Sequence, residues 1–132
     1  MNTTSVRSPV VVLIDDEPDF LTLARGWLAP RFDVTTLDQG EDAVEVLVGL
    51  EPDLVVLDVN MEPDGFTLAR RIRAQRELAD VPVLFLTASK SDADFIRNLD
   101  VGGTAYLTKP VSKKALVAMV AELTASAPPR DS

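Results

Sequence analysis

Residues 10–17 read VVVLIDDE, an apolar run that ends abruptly in three acidic side chains. Three more apolar runs end in polar residues: LVVLD at 54–58, VLFLT at 83–87 and AYLTK at 105–109. Such runs, separated by stretches with helical periodicity, predict the buried strands of a parallel sheet. Because parallel strands point the same way, the residues at their carboxyl ends should gather along one edge, where open α/β folds bind ligands.

The side chains at that edge form a candidate site made of three carboxylates, a hydroxyl and an ammonium: Asp15, Asp16, Asp58, Thr87 and Lys109. Two carboxylates about 5 Å apart repel by roughly 3 kcal/mol at an effective dielectric near 20, so three together need a compensating cation. Oxygen ligands select Mg²⁺ or a similar hard ion rather than zinc. The set therefore predicts phosphoryl chemistry with a divalent metal.

The order of the segments predicts the topology. Strand-like and helix-like segments alternate as five β/α units, and the alternating pattern at 32–37 is typical of a less buried edge strand. Right-handed crossovers then predict a doubly wound, five-stranded parallel sheet with five helices. A strand order of 2-1-3-4-5 would place the first and third strands side by side, with the switch point between them.

Helix positions follow from periodicity and capping residues. The first helix should start near Pro18 and present one inward face: Phe20, Leu23, Ala24, Trp27 and Leu28. The second should run from about Glu41 to Gly49, and a third should follow the Asp64-Gly65 turn. Ser91 and Asp94 resemble the capping pair of a fourth helix, which Gly102-Gly103 would close, and Ser112 is the expected cap of the fifth.

Composition bounds the class of protein. The chain has 132 residues, enough for one domain, which we place at 9–126 between a polar segment at 1–8 and a Pro-rich tail or linker stub at 127–132. The net charge of −8 argues against direct binding to nucleic acid or to an anionic membrane.

The sequence has no Cys and no His, which excludes thiolate chemistry and His-ligated zinc. We expect a cytoplasmic protein, since the polar start and the short apolar run behind it fit neither a signal peptide nor a membrane span.

Four motifs taken together resemble the receiver domain of bacterial two-component response regulators. They are VVVLIDDEPDF at 10–20, PDLVVLDVNM at 52–61, PVLFLTAS at 82–89 and AYLTKP at 105–110. The resemblance extends over nearly the whole chain and implies the flavodoxin-like form of the predicted sheet.

The resemblance also implies roles for individual residues. Asp15 and Asp16 would hold Mg²⁺ together with Asp58, which would accept the phosphoryl group, and with the backbone carbonyl of Asn60. Thr87 and Lys109 would contact the phosphoryl oxygens, and Tyr106 would change rotamer on activation. The Lys109-Pro110 peptide bond is expected to be cis.

Two departures from the family pattern stand out. Receivers commonly follow the acceptor with D-x-x-M-P-x-x-D-G, whereas residues 58–65 read DVNMEPDG, which displaces the proline and shortens the loop by one residue. Val111 follows Pro110 where Phe is usual. Neither departure changes a reacting group.

The function implied is a phosphorylation switch and not an enzyme, since it would catalyse only its own phosphorylation and dephosphorylation. The phosphoryl group would come from a histidine kinase or phosphotransfer protein. A changed surface of helix four, strand five and helix five would then bind a downstream protein target, an output domain or a second copy of the chain. Two alternatives remain at this point: an Asp-nucleophile, Mg²⁺-dependent phosphohydrolase, and a pseudo-receiver that binds partners without phosphorylation. The phosphohydrolase is disfavoured because Asp15-Asp16-Glu17-Pro18-Asp19 does not fit its D-x-D-x-[TV] pattern.

Overall fold

The computed structural model describes residues 8–89, 91–92, 96 and 105–125. Five strands alternate with helices, as the sequence predicts. The strands are β1 (Val10–Ile14), β2 (Asp33–Leu37), β3 (Leu54–Asp58), β4 (Val83–Thr87) and β5 (Ala105–Thr108). The helices are α1 (Pro18–Leu28), α2 (Ala43–Leu50), α3 (Gly65–Ala74), a short 3-10 helix (Arg76–Leu78) and a C-terminal helix (Lys113–Ala125).

All strand pairs are parallel, and the order in the sheet is β2-β1-β3-β4-β5. This is the predicted doubly wound arrangement. Every residue of β3 and β4 is buried, whereas β2 and β5 at the two edges keep partly exposed residues. Strands covered on both faces must be apolar throughout, which is why the central runs are continuous rather than alternating.

Helices pack on both faces of the sheet. On one face α2 and α3 cover alternate residues of β1 and β3, and Ile96 joins the same cluster. On the other face α1 and the C-terminal helix cover Val11, Leu13, Leu54 and Val56 of the same two strands. The Oγ atom of Ser112 accepts a hydrogen bond of 3.1 Å from the N–H of Ala115, so the predicted cap of the last helix is confirmed.

The inward face of α1 differs from the prediction. Leu21, Ala24 and Leu28 are buried, whereas Leu23 is 52% exposed. At about 100° per residue, Leu23 lies roughly 200° around the helix from Leu21 and so on its outer side. Leu21, Ala24 and Leu28 also have helical spacing, and packing in the cluster that contains residues of β1 and β2 buries this stripe instead of the predicted one.

Element ends differ from the prediction by one or two residues. Helix α2 begins at Ala43 and continues through Gly49 to Leu50, and Glu51 ends it in the left-handed conformation (φ 50°). Leu50 packs against the core, which favours one more helical residue than the glycine suggested. The predicted fourth helix lies mostly outside the described residues, as do segments 1–7 and 126–132. Where the chain is described, no helix has the length and apolarity needed to cross a membrane.

Candidate functional site

The acidic residues meet where β1 and β3 end. These strands are neighbours, with Ile14 opposite Leu57, so Asp15 and Asp58 emerge side by side. Asp15, Asp16 and Asp58 each have a carboxylate oxygen within 4.8 Å of the others. The structure therefore brings together the three acids that the sequence predicts at this edge.

Two of these carboxylates are almost completely buried. Asp15 and Asp58 are each 1% exposed, whereas Asp16 is exposed. Burial raises the pKa of Asp15, and the charge of Asp58 raises that pKa further. The N–H of Glu17 opposes this shift by donating a hydrogen bond of 3.0 Å to Oδ1 of Asp15. Two buried carboxylates with oxygens within 4.8 Å of each other are unfavourable without cations, and such an arrangement is typical of a functional site rather than a structural one.

Lys109 supplies one positive charge at this point. Its Nζ atom lies 3.1 Å from Oδ1 of Asp58, 3.3 Å from Oδ2 of Asp15 and 3.4 Å from Oε1 of Glu17. Burial alone would lower the pKa of Lys109, but the charges and hydrogen bonds of Asp15 and Asp58 outweigh burial, and the pKa is raised. Lys109 is therefore held as an ammonium beside the acids.

The backbone around Lys109 is fixed by the sheet. Lys109 follows β5 directly, and its N–H donates to the carbonyl of Thr87 at 2.7 Å. The Lys109-Pro110 bond is cis, as predicted. The ring of Phe20 lies 5.6 Å from the ammonium, close enough for a cation–π contact.

Backbone hydrogen bonds hold the loop after Asp58 together, although its proline is displaced from the position that is common in the family. The carbonyl of Val59 accepts hydrogen bonds from the N–H groups of Met61 at 3.2 Å and Gly65 at 3.0 Å. Asp64 caps α3 by accepting from the N–H of Thr67 at 2.9 Å. A Cβ atom at Gly65 would lie 2.6 Å from the carbonyl oxygen of Asp58, so the position requires glycine.

Asn60 stands next to the predicted acceptor. Its N–H donates to Oδ1 of Asp58 at 3.2 Å, the same oxygen that Lys109 contacts. This donor helps to hold the Asp58 side chain in place. Metal ligation through the carbonyl of Asn60 stays a prediction.

Thr87 ends β4 and is fully buried. It follows Leu86, which pairs with Asp58 in the sheet. Its hydroxyl donates a hydrogen bond of 2.7 Å to Oδ2 of Asp92 and accepts one of 3.2 Å from the N–H of Ser89. The hydroxyl is thus turned toward the turn that follows β4.

Tyr106 lies in β5 opposite Phe85 and is partly buried. It packs against the core cluster that contains Ile96. Ile96 belongs to the predicted fourth helix, so Tyr106 lies on the same side of the sheet as this residue. Its role as a switch stays a prediction.

Sequence reasoning did not assign three residues that contact the site. Glu17 contacts Lys109, Phe20 lies beside the same ammonium, and Asp92 accepts from Thr87. Glu17 belongs to the acidic run at residues 15–17, and its residue type alone could have suggested a contact with Lys109. Phe20 and Asp92 gave no signal, because their contacts depend on helix phase and on the turn after β4.

The donor set fits a hard divalent cation. Asp15, Asp16 and Asp58 offer carboxylate oxygens only, and the one cation near them among the described residues is Lys109. Mg²⁺ and similar ions take oxygen ligands and commonly keep several waters, which an exposed acid such as Asp16 permits.

The comparisons with known proteins agree on one family. The family described as "Response regulator receiver domain" matches residues 11–121. The chain is 35% identical over 121 residues to the transcriptional regulatory protein GltR of Pseudomonas aeruginosa, which covers 90% of this chain and 50% of that protein. It is 38% identical over 122 residues to the transcriptional regulatory protein PrrA of Mycobacterium leprae, covering 91% of this chain and 52% of that protein. The chain thus spans about half the length of these curated relatives.

A solved structure shares the fold over its whole length. It is the receiver domain of the sensor histidine kinase PA1611 from Pseudomonas aeruginosa PAO1, with a magnesium ion coordinated in its active site cleft. The identity is 27%, the TM-score is 0.79, and the alignment covers 90% of this chain and 99% of that one.

Proposed function

This chain belongs to the family of response regulator receiver domains, and from that membership we propose that Asp58 is the phosphoacceptor of a signalling switch. The observation that carries the proposal is the position of Asp58. Its carboxylate is buried at the end of β3, within 4.8 Å of the carboxylates of Asp15 and Asp16 and 3.1 Å from the Lys109 ammonium.

The reaction is transfer of a phosphoryl group from a phosphohistidine. An oxygen of the ionised Asp58 attacks phosphorus, the phosphorus–nitrogen bond breaks, and the imidazole leaves with the bonding electrons and takes up a proton. The product is an acyl phosphate on Asp58. The donor we propose is a histidine kinase or phosphotransfer protein; residues 1–132 contain no His that could carry the phosphoryl group.

The residues around Asp58 act mainly through charge. Lys109 stabilises the ionised acceptor and then faces the negative charge of the transferred group. Asp15, Asp16, Asp58 and the carbonyl of Asn60 would hold Mg²⁺, which when bound supplies further positive charge at the transferring phosphoryl group. The N–H of Asn60 keeps the carboxylate of Asp58 oriented.

The switch rests on Thr87 and Tyr106. An acyl phosphate at Asp58 brings new negative oxygens to the sheet edge, and the hydroxyl of Thr87, one position beyond the residue paired with Asp58, can donate to them. Movement of Thr87 would vacate volume into which Tyr106 turns. Close packing favours two discrete arrangements over intermediate ones.

The surface changed by the switch is the predicted fourth helix, β5 and the C-terminal helix. We infer that this surface binds an output domain, a separate protein target or a second copy of the phosphorylated chain. The curated relatives are about twice as long and are named as transcriptional regulators, which supports an output domain as the first candidate. We propose a receiver unit at residues 9–126 that acts in the cytoplasm, followed by a Pro-rich tail or linker stub at 127–132, with no direct contact to nucleic acid or membrane.

Receiver domains are signalling domains and not enzymes that turn over a separate substrate. The only catalysis we propose here is that of the domain's own phosphorylation and dephosphorylation. Sustained hydrolysis of a generic phosphomonoester would contradict this proposal.

Acetyl phosphate provides the test. With Mg²⁺, it should add one phosphoryl mass to the intact protein, and EDTA should prevent this. Asp58→Asn should not be labelled, whereas Asp38→Asn should be labelled like the unsubstituted protein. Asp38 is the matched control because it follows β2 directly but is exposed and outside the acid cluster. Equal labelling of Asp58→Asn and the unsubstituted protein would overturn the proposal.

A further inference from the structure

Asp92 holds the hydroxyl of Thr87 in this structure. The Thr87 Oγ1 atom lies 2.7 Å from Oδ2 of Asp92, while its distance to the carbonyl oxygen of Ser89 is 3.3 Å. A hydroxyl has a single proton to donate. The shorter contact to a carboxylate therefore takes that proton, and Ser89 is left to donate its N–H to the oxygen at 3.2 Å.

The same proton is needed elsewhere after phosphorylation. Thr87 can stabilise an acyl phosphate only by donating its hydroxyl proton to a phosphoryl oxygen. To do so it must give up the hydrogen bond to Asp92. Asp92 and phosphorylated Asp58 are thus two anionic acceptors for one buried donor.

We propose that Asp92 competes with phosphorylated Asp58 for the Thr87 hydroxyl and so favours the unphosphorylated state. The proposal rests on Asp58 as the phosphoacceptor. Asp92 acts only through Thr87 and is a positioning residue. Because Thr87 must first break its hydrogen bond to Asp92, Asp92 reduces the net free energy that the contact between Thr87 and the phosphoryl group contributes to the switch.

The place of Asp92 in the chain gives the competition a structural consequence. The N–H of Asp92 donates to the carbonyl of Ser89 at 3.2 Å, so the residue sits in a tight turn directly after β4. Release by Thr87 would free the Asp92 side chain, which is partly buried at the start of the predicted fourth helix. Phosphorylation of Asp58 would thus replace the bond between Thr87 and Asp92 by a bond from Thr87 to the phosphoryl group. This exchange would release Asp92 at the start of the predicted fourth helix, which is part of the proposed output surface.

A double-mutant cycle tests the competition, with beryllium fluoride and Mg²⁺ as the probe in place of a phosphoryl group. Asp92→Ala should tighten beryllofluoride binding about tenfold, because Thr87 no longer has to give up a hydrogen bond to a charged acceptor, which is one of the stronger kinds of hydrogen bond. In the Thr87→Ala background, Asp92→Ala should leave the affinity unchanged, because no donor remains to be contested. A purely structural effect of Asp92 would be the same in both backgrounds.

Two further variants control for the turn. Asp92→Asn keeps the size of the side chain and a weaker acceptor, so it should tighten binding by a smaller factor. Ser91→Ala removes the Oγ contact of Ser91 with Ser89 at 2.7 Å but leaves the bond between Thr87 and Asp92, and should not change the affinity.

The outcomes separate this proposal from the proposed function. Unchanged or weaker binding in Asp92→Ala, or an equal change in the Thr87→Ala background, would overturn the competition alone. Failure of the unsubstituted protein to bind beryllofluoride would overturn the phosphoacceptor assignment and the competition with it.

Discussion

The ammonium of Lys109 lies 3.1 Å from Oδ1 of Asp58, although β4 lies between β3, which ends at Asp58, and β5, which Lys109 follows. The parallel sheet makes this contact possible, because β3 and β5 end at the same edge. A lysine side chain is long enough to reach across one strand, and the same Nζ atom also reaches Asp15. One ammonium group therefore forms ion pairs with two buried carboxylates.

Replacement of this cation should slow phosphorylation. In Lys109→Met the transferring group loses a fixed positive charge, and we expect labelling by acetyl phosphate to slow on the order of a hundredfold. Lys113→Met, which changes an exposed lysine at the start of the C-terminal helix, should label at the parent rate. Equal rates for the two variants would show that Lys109 does not act on the phosphoryl group.

Mg²⁺ should stabilise the folded protein by offsetting the repulsion among Asp15, Asp16 and Asp58. At a concentration about ten times its Kd, the ion should add about 1.4 kcal/mol to the free energy of unfolding. Thermal unfolding with Mg²⁺ and with EDTA measures this difference. Asp15→Asn should abolish the response and Asp38→Asn should retain it; a response that survives in Asp15→Asn would place the ion elsewhere.

Gly65→Ala should destabilise the domain by about 1–3 kcal/mol, because its Cβ atom would overlap the backbone of Asp58 and Val59. Gly26→Ala is the matched control, since a Cβ atom there meets nothing within 4 Å on the exposed side of α1. That change should stabilise the domain by about 0.5–1 kcal/mol. Urea unfolding of both variants measures these changes in the free energy of unfolding. An unchanged value in Gly65→Ala would mean that the loop after Asp58 can move to accommodate the added Cβ atom.

Tyr106 should report the state of Asp58 without touching the phosphoryl group. The chain contains a single Tyr, so its ring resonances are readily identified by NMR. Addition of beryllofluoride and Mg²⁺ should shift them as the ring turns inward. Shifts confined to Asp58 and Lys109, with the Tyr106 ring unchanged, would mean that the site binds its ligand but does not drive this switch.

The sheet could be predicted from the sequence because its signals are long and independent. The apolar runs predicted the strands, and the acids where β1 and β3 end marked the edge of the sheet at which the site lies. The crossover rule then allowed only a few strand orders. The position of Lys109 beside Asp58 followed from that edge alone. Local chemistry also sufficed for the cap at Ser112.

Structural details that depend on packing could not be predicted from the sequence. Leu23 fits an apolar stripe on α1 as well as Leu21 does, and only contact with the sheet shows which one is buried. The bond between Thr87 and Asp92 depends on how the chain turns after β4, which residue types do not specify. Phe20 was expected in the core, yet its ring also lies over the Lys109 ammonium.

The central claim is that Asp58 carries the phosphoryl group, and borohydride trapping tests it most directly. Borohydride reduces an aspartyl phosphate to homoserine, which peptide mass spectrometry locates in the sequence. After treatment with acetyl phosphate and Mg²⁺, we expect homoserine at position 58 and at no other acidic position. Homoserine at Asp15 or Asp16, or none in a protein that carries the added phosphoryl mass, would contradict the account.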